Sequence, residues 1–263
     1  MKNNHVPEKS KEEVFQLLPT EYQKYTLPKC IIEMGNPCNH QFKRKRFFKI
    51  KLNDSSTIHL TIGKNLSDVF EKTKLIYDLI PKQSCKPLFL IDGKEFDIMG
   101  QEFFEGLPID EKYESGDISE DIISGIILDL EKTLSSLEEK STKSALIQEF
   151  TQFKETILNN EALHSLDKSF LKNYVFPLIE SSMLVESASL RWSPGDLAAR
   201  NILIGDNLEY KIIDCEFAQK THFHEEDWLR LCTFSTVRFR GIPILNKKTK
   251  KYDPWIQIYF HLR

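Results

Sequence analysis

The apolar residues change their period near residue 110, and that change limits the chain to an α+β fold with a stranded first part and a helical second part. In the first part, Phe47 to Leu52 (FFKIKL) and Ile58 to Ile62 (IHLTI) are short β-rich runs. The turn-forming cluster Asn53, Asp54, Ser55 and Ser56 between them predicts a hairpin. Gly35-Asn36-Pro37 marks another turn ahead of both runs. Leu66, Val69, Phe70, Leu75, Ile76 and Leu79 recur at helical spacing, and Pro81 ends that helix by lacking a donor and restricting its predecessor. Leu88 to Ile91 and Phe96 to Phe104 flank Asp92-Gly93, a strong hairpin dipeptide. A small antiparallel sheet with one helix is expected.

After Gly106 the period is helical. Ile118, Ile122, Ile123, Ile126, Ile127, Leu130, Leu134 and Leu137 mark one apolar face, a second helix is expected from Ser144 to Leu158, and a third from Lys168 to Met183. Pro177 should kink or bound the third. Asn201 to Ile204 and Tyr210 to Ile213 read as short strands around a Gly205-Asp206-Asn207 turn. The 263 residues, 40% of them hydrophobic, suffice for one large core or two small ones.

Charge narrows the range of partners. With Lys+Arg at 36 and Asp+Glu at 39, the net charge of -3 gives no global field to recruit nucleic acid or a membrane. The polar start MKNNHVPEKSKEE has no secretory core, and no run approaches the roughly 18 apolar residues of a membrane span, so the expected location is the cytoplasm. Cys30, Cys38, Cys85, Cys215 and Cys232 are odd in number and scattered, which predicts reduced thiols and neither a disulfide framework nor a zinc site.

The stretch from Trp192 to Phe217, WSPGDLAARNILIGDNLEYKIIDCEF, carries the chemistry. Asp196 and Asn201 stand five apart on a loop leading into a strand, and Asp214 follows thirteen residues after Asn201, beyond that strand and a turn. Phosphoryl transfer uses such a set, because Mg²⁺ needs hard oxygen ligands beside the phosphates and the incoming hydroxyl needs a carboxylate. Asn201 and Asp214 suit the metal, and Asp196 suits the hydroxyl.

With these residues in place, the chain resembles the protein-kinase-like phosphotransferases, in the branch of aminoglycoside phosphotransferases and choline, sugar and other small-molecule kinases. Gly195-Asp196-Leu-Ala-Ala-Arg-Asn201-Ile-Leu is similar to that branch's catalytic loop, and Ile212-Ile213-Asp214-Cys215-Glu216 to its metal-binding segment. The resemblance implies an ATP- and Mg²⁺-dependent kinase of a small-molecule hydroxyl. Its bilobal fold would have a small antiparallel-sheet lobe with one helix, a mainly helical, abbreviated second lobe, and the nucleotide between them. Residues 1–29 would be an N-terminal extension, 30–105 the nucleotide-binding lobe and 106–263 the helical lobe. Asp196 would be the catalytic aspartate, and Asn201 and Asp214 the magnesium ligands. Lys64 fits the phosphate-contacting lysine, and Glu71, or Asp68 one turn earlier, the acid that pairs with it. Gln101 to Gly106 would be the linker holding the adenine, with Glu102 and Phe104 near the base, and Asp227 would brace the catalytic loop.

Three departures accompany the likeness. The segment 35–39 has a single glycine where a glycine-rich loop is usual, Pro194 stands where a histidine usually precedes the catalytic aspartate, and only 49 residues follow Asp214. They are what an inactive kinase-fold binding protein would also show. A kinase of a cell-surface glycan sugar is a further alternative; there the basic tract Lys43-Arg44-Lys45-Arg46 would make peripheral contact with an anionic membrane. A tract this short, like Lys247 to Lys251, also fits a solvated strand edge. Glu111, Glu114, Asp117, Glu120 and Asp121 complement a helix start, or would line a pocket for a cationic substrate. His222 and His224 read as a surface loop.

Overall fold

The structure is a computed structural model and describes residues 6–34, 45–182, 188–233 and 235–245. The Gly35 turn, Cys38, Lys43, Arg44 and the cluster 247–251 lie outside the described residues. In chain order the elements are α1 (Lys11–Leu17), α2 (Thr20–Gln23), β1 (Ile31–Met34), β2 (Lys45–Lys51), β3 (Thr57–Gly63), α3 (Leu66–Leu79), β4 (Pro87–Ile91), β5 (Asp97–Glu102) and β6 (Leu107–Pro108). There follow α4 (Ile109–Glu114), α5 (Glu120–Ser135), β7 (Glu139–Ser141), α6 (Lys143–Asn159), α7 (Ser165–Phe170), α8 (Phe176–Ser182) and β8 (Ala188–Ser193). The last are β9 (Ile202–Ile204), β10 (Tyr210–Ile212), β11 (Gln219–Thr221), α9 (Glu226–Thr233) and α10 (Val237–Arg240). The fold is α+β, and the chain divides into two compact units, Met1–Leu107 with Leu203–Phe217 and Pro108–Ile202 with Ala218–Arg263.

The first unit is built on a five-stranded antiparallel sheet in the order β1-β2-β3-β5-β4. Strand alternation gives it two different faces. On one, Phe48, Ile50, Ile58, Leu60, Ile62 and Ile98 form a core with Val6, Val14 and Leu18 from the amino-terminal segment. Residues 6–18 therefore belong to this core, where the sequence reading had an extension. The other face carries the half-buried Phe47 and His59, their rings stacked 5.7 Å apart, and burial pushes the His59 imidazole down to about 4, so it is neutral. Asn65, which precedes α3, sits at φ 57° and its side chain makes no cap; the first helical N–H, Leu66 N, instead donates to Asp97 Oδ2 at 2.8 Å. A buried carboxylate at a helix start meets an orphan donor and the positive end of the dipole together.

Residues 203–217 join this unit rather than the helical part to which the sequence reading assigned everything after residue 105. The reason is local bonding: Ile212 N donates to Gln83 O at 2.6 Å, and Lys211 Nζ donates to Ser84 O at 2.9 Å. With β6, the β9 and β10 hairpin makes a three-stranded sheet in the order β10-β9-β6.

The second unit is mainly helical, with a small antiparallel sheet in the order β11-β8-β7. Leu146 and Phe150 of α6 pack with Leu171, Val175, Phe176, Ile179 and Phe223. A wide turn over Leu171–Val175 joins α7 to α8 without a break, Phe176 N donating to Leu171 O five residues back. Pro177 follows at once, and such a turn absorbs a ring that would clash with an ordinary helical carbonyl. His222 is pinned between Glu149 of α6 and Ser141 of β7, its Nε2 lying 2.8 Å from Ser141 Oγ.

Candidate active site

Strand β8 delivers the chain to Pro194-Gly195-Asp196. Gly195 adopts φ 82°, a left-handed conformation that glycine takes without penalty, and this aims Asp196 off the strand end. Ser193 holds the loop ahead of Asp196. Its Oγ accepts from Gly195 N at 3.0 Å and donates to Asp227 Oδ1 at 2.7 Å. Asp227 has no solvent exposure, and Arg191, only 1% exposed, donates from Nη2 to Asp227 Oδ2 at 3.3 Å and to His224 O at 3.1 Å. Burial raises the Asp227 carboxyl to about 6, against the opposing pull of Arg191 and Ser193. Burial, then Arg191, pushes His224 down to about 3, so its ring is neutral where Nε2 meets Ser189 Oγ at 2.8 Å.

The Asp196 carboxylate is itself oriented on both oxygens. Arg230 Nη1 donates to Oδ1 at 3.2 Å, and Asn201 Nδ2 donates to Oδ2 at 3.1 Å and to the Asp196 carbonyl at 2.8 Å. Arg230 is fixed in turn by Glu226 Oε1, at 2.9 Å from Nε and 2.7 Å from Nη2. Arg200 Nη2 lies 3.7 Å from Asp196 Oδ2. Because the Asn201 amide nitrogen is committed to Asp196, its carbonyl oxygen is the end left for another partner, a hard donor suited to Mg²⁺.

Asp196 and Asn201 are thus brought together in the second unit, while Asp214 is carried by the first. Asp214 sits at φ 60°, exposed, and opens the 3-10 turn Cys215–Phe217 that packs on α3. A non-glycine residue held in the left-handed region is strained by about 1 kcal/mol or more, the kind of strain that gathers at functional sites. Asn201 offers an amide oxygen in the second unit and Asp214 a carboxylate in the first, each a hard donor of the kind magnesium takes; among the described residues no group of three or more His, Cys, Asp or Glu is placed to hold a metal ion.

The remaining sequence candidates lie in the first unit. Lys64 follows β3 and directs its ammonium over the Phe96 ring, 5.6 Å from the centroid, while Glu71 lies exposed on α3. Asp68 pairs with Lys72 at 2.8 Å. Glu102 is exposed and accepts from Lys86 N at 3.2 Å. The Phe104 ring packs so closely on Gly106 that a Cβ there would come within 2.8 Å of it. Lys45 and Glu216 form an ion pair that the sequence did not announce. Arg191, Ser193 and Arg230 also escaped it, although the four-residue spacing of Glu226 and Arg230 on α9 was a signal.

The fold is similar to that of solved small-molecule phosphotransferases. No family profile and no curated protein matches the sequence. Among solved structures, an aminoglycoside-3'-phosphotransferase of type VIII aligns over 97% of this chain and 98% of its own, with TM-score 0.56 and 10% identity. A streptomycin-ATP ternary complex of the aminoglycoside phosphotransferase APH(2")-IIa gives 0.56 and 13% identity over 97% and 96%. Choline kinase LicA from Streptococcus pneumoniae gives 0.52 and 15% over 96% and 83%. At these identities the likeness is one of fold. Among the described residues no helix is long and apolar enough to cross a membrane.

Proposed function

We propose that the chain transfers the γ-phosphoryl group of ATP to a hydroxyl of a small molecule such as an aminoglycoside, an amino alcohol or a sugar. The observation that carries this reading is the Asp196 carboxylate, oriented by Arg230 and Asn201 on a loop tied down through Ser193 to a buried Asp227. Asp196 accepts the hydroxyl hydrogen bond and takes the proton as the hydroxyl oxygen bonds to the γ-phosphorus. The bond from phosphorus to the bridging oxygen breaks, and ADP leaves. Asn201 and Asp214 are the proposed holders of Mg²⁺, which when bound neutralises phosphate charge. Positioning is the chain's main contribution, and the doubly anchored carboxylate is suited to it. Cytoplasmic residence and the linker 101–106 as the adenine contact belong to the same proposal.

The test is ATP consumption with pooled aminoglycosides, choline, ethanolamine and sugars, followed by Asp196→Asn on the acceptor that responds. Loss of a general base should lower turnover by about 10²- to 10⁴-fold with little change in melting temperature. Near-normal turnover in that variant would remove Asp196 from the chemistry. Nucleotide binding without transfer to any acceptor would favour an inactive kinase-fold binding protein.

A further inference from the structure

His222 falls in what the sequence presents as a surface loop, yet its side chain is only 5% exposed. It is enclosed between a carboxylate and a hydroxyl. The ring Nδ1 bonds to Glu149 Oε2, which also accepts from His222 N at 3.0 Å, and Glu149 Oε1 accepts from the Thr221 hydroxyl. Both oxygens of Glu149 are therefore held, and they fix His222 by its backbone and its ring together. A carboxylate only accepts, so in the neutral ring Nδ1 carries the proton and Nε2 presents a lone pair. Ser141 Oγ lies 2.8 Å from Nε2 and is the donor to it.

Hydroxyl, imidazole and carboxylate in this order, with the acid orienting the base, are what a serine nucleophile requires. All three residues belong to the second unit: Ser141 ends β7, Glu149 lies on α6 and His222 follows β11. Ser141 is half-buried, so it is not sealed in the core. Helix α6 begins two residues later, and the N–H groups of Lys143 and Ser144 in its first turn have no acceptor within the helix. They are donors close in the chain for an oxygen that gains charge next to Ser141. Ser189 and His224 make the contrast. Ser189 Oγ is likewise 2.8 Å from His224 Nε2, but Glu225 Oε2 stands 3.7 Å from Nδ1 of that ring, beyond hydrogen-bond distance.

We infer that Ser141, His222 and Glu149 form a second catalytic site, which hydrolyses small carboxylic esters through an acyl-serine and is separate from phosphoryl transfer. Ser141 Oγ bonds to the acyl carbon as its proton passes to His222 Nε2. The bond from that carbon to the alcohol oxygen breaks, and the departing alcohol takes the proton from Nε2. Water then adds to the acyl carbon, giving a proton to Nε2, and Oγ recovers that proton as the carboxylic acid leaves. Glu149 is the positioning residue, holding the ring in the tautomer that can accept.

The test treats the full chain with a fluorophosphonate-rhodamine probe and locates the labelled peptide by mass spectrometry. Wild type should carry the adduct on Ser141 and not on Ser189. His222→Gln and Glu149→Gln should each slow labelling of Ser141 by about 10²- to 10⁴-fold, and Glu149→Asp, which keeps the carboxylate, should recover part of the rate. With p-nitrophenyl acetate, wild type should release a burst of p-nitrophenol that Ser141→Ala abolishes. Absence of an adduct on Ser141 in wild type, equal labelling of Ser189, or a labelling rate in His222→Gln within about twofold of wild type overturns the assignment. The wild-type adduct map needs no substitution, so it decides the matter even where a variant fails to fold.

Discussion

Replacing Asp227 by alanine should cost about 3–5 kcal/mol, because it takes from a buried guanidinium its nearer carboxylate and leaves only Glu138, 3.9 Å from Nη1. Arg191 is 1% exposed, and its Nε already has no hydrogen-bond partner. Its Nη2 contacts are Asp227 and the His224 carbonyl. Ser193 Oγ loses its acceptor in the same variant, adding about 1 kcal/mol. In a chain of this size each kcal/mol moves the melting temperature by about 2–4 °C, so calorimetry should find a fall of about 8–24 °C. The pH dependence gives a second reading of the same group. The folded carboxyl titrates near 6 and the free one near 3.8, so between those values the folded state binds more protons than the unfolded state. This contribution to stability is fully present below about 3.8 and is lost as pH rises through about 6. The advantage of wild type over Asp227→Asn should therefore shrink as pH climbs from 4 to 7. A drop of less than about 1 kcal/mol in Asp227→Ala, or an advantage that grows with pH, would refute the idea that this carboxyl is buried with Arg191.

Two predictions concern the sheet of the first unit. Leu60→Ala should lose about 2–5 kcal/mol by denaturant melting, since Leu60 is wholly buried in the core that also holds Val14; an unchanged midpoint would mean that the core is elsewhere. Gly100→Ala should destabilise by about 1–3 kcal/mol, because the new Cβ would sit 2.4 Å from the Phe89 ring, and Phe89→Leu in the same chain should relieve it.

The parts of the fold that are local in sequence were readable. The Asn53 to Ser56 and Asp92-Gly93 turns fall between β2 and β3 and between β4 and β5, and the helical spacing of Leu66 to Leu79 marks the two ends of α3. The association of Asp196 with Asn201 was readable for the same reason, since the two bond to each other across five residues. Long-range pairing was not. The ties from Arg191 and Ser193 to Asp227 span more than thirty residues, and nothing in either segment announces the other. The face taken by a strand residue met a harder obstacle, the period of two: a shift of one residue moves a side chain to the opposite face, and the pairing of Gly63 with Lys45 is fixed only by the register of β2 on β3. Asp214 was singled out from its neighbours in sequence, while its left-handed backbone and its place in the first unit, next to the turn that packs on α3, had no sequence signal.

The amino-terminal segment has a practical consequence for anyone dissecting this chain. Val6, Val14 and Leu18 shield a sheet surface made of Phe48, Ile50, Ile58, Leu60 and Ile62. A polypeptide begun at residue 30 would present that greasy plate to water and would be expected to clump during expression. What reads as a dispensable leader is the wall of the domain, and trimming should stop ahead of Val6.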